Sequence, residues 1–144
     1  DDIMERLDDL PAVLRHLPED GAAILLAHEP DFADQAAASQ RFDLQLSGHS
    51  HGGQVHFPRL GPLVLPRYGR KYPLGLNQVD GMQVYTNRGL GTAEIEIRYR
   101  CPAEITLLTL NSNGSRPGGN LIASDRSFEE NKIVKPDLER KSDA

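Results

Sequence analysis

Three histidines stand where the chain leaves an apolar or strand-like run. His28 closes the segment AAILLA, and His49 and His51 lie inside the glycine-bracketed run Gly48-His49-Ser50-His51-Gly52-Gly53. Imidazole ligates Zn, Mn, Fe and Ni ions, so these positions could hold a transition metal. In an extended segment residues i and i+2 project to the same side with Cα atoms ~6.5 to 7 Å apart, so His49 and His51 are expected to present two rings to one place. The glycines allow the backbone to turn and a ligand to come close. His28 is the natural third partner, because ligands of open α/β sheets gather beyond the strand ends. The competing reading is that these histidines donate hydrogen bonds to turn carbonyls in a glycine-rich loop. His56, on a strand-like stretch, reads as a packing or surface residue, and His16, on a helix, reads as solvent-facing.

The number of ligands decides which metal chemistry is open. Three imidazoles suffice for a mononuclear zinc enzyme with one open coordination position. They do not suffice for a two-metal hydrolytic centre, which places its ions ~3.5 to 4 Å apart and normally bridges them with a carboxylate. The nearby carboxylates have local backbone roles: Asp31 reads as a helix cap and Asp43 as the start of a strand. After His51 the run continues Gly52-Gly53-Gln54, with neither the Asp nor the His of a metallo-β-lactamase-type HxHxDH pattern, which counts against that family.

The elements that must position these residues alternate between helix and strand. Asp9 as cap, Pro11 in the first turn and Val13, Leu14 and Leu17 on one face predict a short helix over 10–17. Residues 22–27 (AAILLA) read as a strand buried on both faces. A second, alanine-rich helix is expected from Pro30 and Asp31 to about Ser39, and a strand over 43–47 (DLQLS). Residues 54–57, 82–86, 95–100 and 104–110 are strand-like and separated by Pro and Gly punctuation. In 93–100 (AEIEIRYR) the alternation of Ile95, Ile97 and Tyr99 with charged residues predicts one buried and one wet face. The class is mixed α/β.

The chain has 144 residues, enough for one core on a length prior of ~100 to 200 residues per domain. Its net charge of −5 is unevenly spread: residues 1–43 carry −8, residues 44–110 carry +3, and residues 111–144 are neutral. An acidic total argues against a nonspecific nucleic-acid binder. The basic middle segment instead suits an anionic substrate, with Arg67, Arg70, Lys71, Asn87 and Arg88 on its loops; of these Arg70 and Asn87 are the candidate substrate-binding residues. Residues 111–144 scatter their few apolar side chains without a period, and are expected to be a mostly disordered polar tail following a domain over 1–110. Apolar runs fall far short of the ~20 residues that span a bilayer. Cys101, the single cysteine, reads as a small buried hydrophobe.

Five segments together resemble the C-terminal half of a calcineurin-like metallophosphoesterase: 25–34 (LLAHEPDFAD), 46–55 (LSGHSHGGQV), 65–76 (LPRYGRKYPLGL), 84–92 (VYTNRGLGT) and 101–110 (CPAEITLLTL). The resemblance covers about residues 9–110 and is closest to the bacterial branch of membrane- and cell-wall-associated phosphodiesterases. It implies part of a four-layered α/β/β/α sandwich with mixed sheets and a dinuclear centre of Mn, Fe or Zn ions at the strand ends. It also implies that His28 and His49 ligate the second metal and His51 the first. The family's DxH, GDxxD and GNHD/E blocks, which supply the remaining ligands and the bridging Asp, have no counterpart here.

The activity so implied is hydrolysis of a phosphate monoester or diester by a complete, two-metal protein, with the isolated chain inactive. The substrate would be a phosphorylated small molecule or a lipid-linked one, and no nucleic-acid partner is expected. A cytoplasmic place or a peripheral membrane association through an N-terminal part remains open on the sequence. Two alternatives stand beside this: a mononuclear three-histidine zinc enzyme, and a truncated, non-catalytic fragment that binds a metal or a partner.

Overall fold

The computed structural model describes residues 8–94 and 96–110. The tail expected over 111–144 lies outside the described residues. Helix α1, Leu10–His16, is capped by Asp9, whose carboxylate accepts the Ala12 N–H at 2.9 Å. Leu10, Leu14 and Leu17 pack against the core, whereas Val13 is 44% exposed, so the buried face is set by Leu10 rather than by Val13. The expected second helix is divided. Pro30–Phe32 forms a single 3-10 turn and α2 covers only Ala33–Ala38.

Four strands form one mixed sheet in the order β1 (Ile24–Leu26), β2 (Leu44–Ser47), β6 (Met82–Thr86), β5 (Gly75–Val79). The first two pairings are parallel and the last is an antiparallel hairpin. A separate two-stranded ribbon pairs β3, His56–Phe57, with β4, Gly61–Pro62. On one face of the sheet the core gathers Phe32, Ala33, Ala36, Ala37, Val79, Met82 and Val84. The small alanines let α2 lie close to the strands, and the mixed α/β class is that expected.

Strand β1 corrects one expectation. It has three residues rather than six, and it is not buried on both faces: Leu25 packs on the core, while Ile24 and Leu26 are 45% and 77% exposed. The reason is position, since β1 is the outer strand of the sheet and its second face lacks a cover among the described residues. Of the expected strand over 95–100, the described residues 96–100 form no strand. Only Tyr99 makes an isolated bridge, to Val55, and Ile97 and Tyr99 are 58% and 49% exposed. Residues 104–110 build no ladder among the described residues; Glu104 and Thr106 instead bond side chains of β6 and the loop after it. No helix among the described residues is long and apolar enough to cross a membrane.

Candidate metal centre

Parallel pairing of β1 with β2 brings two loops out at the same end of the sheet. The ladder continues past both strands, because Ala27 N–H donates to Leu46 at 3.1 Å and Gly48 N–H donates to His28 at 3.1 Å. His28 and His49 are thereby brought together, with ring centroids 5.0 Å apart and planes at 69°. An open depression of about 360 Å3 lies at this end, lined by Leu26, Ala27, His28, Leu46, Ser47 and Gly48.

The loop after β2 is not extended. His49 and His51 both adopt the left-handed conformation (φ 62° and 48°) on either side of a helical Ser50, and Gly52, Gly53 and Gln54 continue with positive φ. The expectation that His49 and His51 share one side by strand alternation is therefore corrected: the backbone coils between them. Left-handed backbone at a residue with a Cβ costs roughly 1–2 kcal/mol, and such strain gathers at functional sites. The glycine at 52 is required. A Cβ there would lie 2.6 Å from Arg88 Cγ and 2.8 Å from Cys101 Sγ.

Each histidine has its own support. His49 Nε2 lies 2.8 Å from the Arg67 carbonyl, on a strap formed by residues 65–73. The strap is anchored to Asp31, which is not the helix cap expected: its carboxylate accepts the N–H groups of Arg70, Lys71 and Tyr72 at 3.1, 2.9 and 3.3 Å. His51 turns the other way, its Nδ1 3.4 Å from the Gly91 carbonyl. Arg98 gathers the carbonyls around it, donating to His51, Arg88, Gly89 and Gly91. Beneath them lies Cys101, 1% exposed, a buried thiol as expected. His56 bonds the Gly52 carbonyl, and His16, exposed at the end of α1, bonds the Ala12 carbonyl at 2.8 Å.

The predicted substrate residues occupy different settings. Arg70 is exposed on the strap, its Nε donating to the Leu65 carbonyl at 3.3 Å. Asn87 is half-buried with its amide bonded at both ends, to Thr106 at 3.0 Å and to Gly89 N–H at 2.6 Å. Lys71 is already matched to Asp34 at 2.6 Å. Its ammonium holds the Asp34 carboxyl below the usual range. Behind Asn87, Glu104 accepts from Arg88, Tyr85 and Thr106. Burial alone would raise the Glu104 pKa, but these three bonds together hold it below the ordinary carboxylate range.

The spacing of His28 and His49 is compatible with a shared divalent transition ion. Two imidazoles on one ion at ≈ 2.0–2.1 Å place their centroids about 4.5–5.2 Å apart for ligand angles between a right angle and tetrahedral. The 5.0 Å between His28 and His49 falls in that interval. Next in the chain, Glu29 is 1% exposed with Oε1 lacking a hydrogen-bond partner among the described residues. Such an acceptor is costly until a donor or cation reaches it. No group of three or more His, Cys, Asp or Glu side chains able to hold a metal assembles among the described residues.

Similar proteins carry a common description. The chain is 41% identical over 112 residues to YkuE of Bacillus subtilis, described as an uncharacterized metallophosphoesterase. It is 35% identical over 103 residues to an uncharacterized metallophosphoesterase of Helicobacter pylori. The chain belongs to the calcineurin-like metallophosphoesterase family. Another relative, 36% identical over 100 residues, is the phosphodiesterase YaeI of Escherichia coli. These matches take in 78%, 71% and 69% of this metallophosphoesterase chain but only 39%, 27% and 35% of the relatives, so it spans less than half their length. No protein-family model and no solved structure matches the chain.

Asp31, Arg98 and Gly69 were not legible as supports in the sequence. Their partners lie far along the chain: Asp31 meets residues 39 to 41 positions away, and Arg98 reaches His51 across 47. No local spacing signals such contacts.

Proposed function

We propose that this chain is the part of a two-metal phosphoesterase that supplies His28 and His49 to one ion and His51 to the other. The complete protein would hydrolyse a phosphate ester of a small or lipid-linked molecule. The observation carrying this reading is the proximity of the His28 and His49 rings, whose 5.0 Å centroid separation is compatible with two imidazoles on one ion. Divalent Mn, Fe or Zn held there supplies Lewis acidity toward a phosphoryl oxygen and acidifies water. The chain's own residues orient that chemistry. The carbonyl of Arg67 holds His49, Arg98 and Gly91 hold the loop of His51, and exposed Arg70 offers a guanidinium to the anionic substrate. Lys71 is a weaker candidate, because Asp34 already matches its charge.

The four-layered sandwich is part of the same reading. Ile24 and Leu26, with Leu76 in register across Tyr85 and Leu46, lie on the sheet face away from the helices and are exposed. A second sheet packed there would bury them and bring further ligands to the same end.

The test is hydrolysis of bis(4-nitrophenyl) phosphate by the full-length protein in Mn2+. His49→Ala is expected to abolish the metal-dependent rate while circular dichroism stays unchanged. Full activity in that variant would overturn the assignment.

A further inference from the structure

His49 meets the strap through one ring nitrogen. Nε2 faces the Arg67 carbonyl at 2.8 Å. A carbonyl only accepts, so in the neutral ring the proton belongs on Nε2 and the lone pair on Nδ1. That choice holds only while the carbonyl stays in place. Arg67 is an exposed residue on a loop, its guanidinium lying over the neighbouring Tyr68 ring, 4.7 Å from the centroid.

The fixing group is Asp31. Its Oδ1 accepts from Lys71 and Tyr72 N–H and its Oδ2 from Arg70 N–H, while its own N–H donates to the Tyr68 carbonyl at 3.0 Å. Three consecutive N–H groups converging on a carboxylate form a charge-assisted clamp. Two more bonds tie the end of the strap: Thr86 Oγ1 donates to Tyr72 at 2.8 Å and Ser50 Oγ to Pro73 at 2.5 Å. Gly69 completes the cradle. A Cβ there would sit 3.3 Å from His49 Cδ2, so strap backbone packs on the edge of the ring.

We propose that Asp31 is a positioning residue for the metal centre: by gathering the N–H groups of residues 70–72 it holds the Arg67 carbonyl against His49 and sets the tautomer and orientation of that imidazole. The inference rests on His49 being a ligand. Outer partners that orient a ligating histidine are worth about 10–100-fold in metal affinity.

The test uses the full chain and reads the ring itself. Histidine 15N spectra without metal are expected to show His49 protonated on Nε2 in the wild type. In Asp31→Ala the two tautomers mix, amides 70–72 exchange faster with solvent, and Mn2+ or Zn2+ affinity falls by about 10–100-fold. Asp31→Asn keeps one acceptor oxygen and should recover part of each change. Asp34→Ala, which removes the Lys71 ion pair from the same strap, should alter none of them. An Asp31→Ala protein that keeps the wild-type tautomer overturns the proposal. If that variant does not fold, Asp31→Asn decides: an intermediate tautomer population sustains the proposal and a wild-type one overturns it. Mn2+ broadening of His28 and His49 with a tautomer indifferent to Asp31 sinks this inference alone. Absence of broadening, with the tautomer under Asp31 control, sinks the metal reading and leaves the hold on His49 standing.

Discussion

His49 and His51 are separated by one serine, yet groups of opposite charge organise the backbone that holds them. On the His49 side a carboxylate, Asp31, collects three N–H donors and presents a carbonyl to the ring. On the His51 side a guanidinium, Arg98, collects five carbonyls, those of His51, Arg88, Gly89, Gly91 and Cys101, and so ties the 88–91 loop to the coil. The difference shows how one short loop can send two imidazoles to different neighbours. Each arm is tied to a separate part of the chain, so the coil between them does not have to set both directions alone.

The His51 arm is the more buried, so breaking it should cost more. Replacing Arg98 by Met leaves several carbonyls without their donor, and with charged hydrogen bonds worth roughly 1.5–3 kcal/mol each, a loss of about 2–4 kcal/mol in urea-unfolding free energy is expected. A loss equal to that of an ordinary surface substitution would show that Arg98 organises nothing. Glu104→Gln probes the support behind the same arm and adds a pH signature. Because the folded-state pKa of Glu104 is lowered, its stabilisation is present above the unfolded carboxylate value, about 4.3, and is lost as pH falls through the folded value. The variant should therefore be less stable by about 1–3 kcal/mol near neutrality, with the gap closing below about pH 4. A gap that stays constant with pH would separate Glu104 from the Arg88 charge. The smallest effect belongs to the His49 arm: Asp34→Ala removes an exposed ion pair and should leave thermal melting unchanged, because such pairs contribute little. A clear fall in melting temperature would show that the strap depends on its outer pair as well as on Asp31.

Helix α1 and strands β2 and β6 were legible because cap, period and apolar run all lie within a few residues of one another. Strand β5 was not, since GLNQV alternates no clear apolar face, although Asp80-Gly81, both at positive φ, carries a recognisable hairpin signal between it and β6. AEIEIRYR misled for the opposite reason. Its alternation is clean, but Ile97 and Tyr99 are largely exposed, and among the described residues 96–100 only Tyr99 bridges another segment, at Val55, so the alternation builds no strand there. At the centre, the residue types and strand ends pointed to His28 and His49, which the fold does bring together. The coil at His49 and His51 was hidden, because non-glycine residues at positive φ are decided by bonds to Arg67 and Arg98, far along the chain.

The left-handed backbone at His49 and His51 has an evolutionary consequence. Glycine occupies that region without the Cβ penalty, and asparagine visits it more readily than most residues. Drift that ignored the imidazoles would thus find local relief in Gly or Asn at both places, trading chemistry for backbone comfort. If the proposed function holds, selection for the ring keeps histidine at both places, so a lineage without that reaction is expected to lose these two positions early while keeping Gly52, wedged between Arg88 and Cys101.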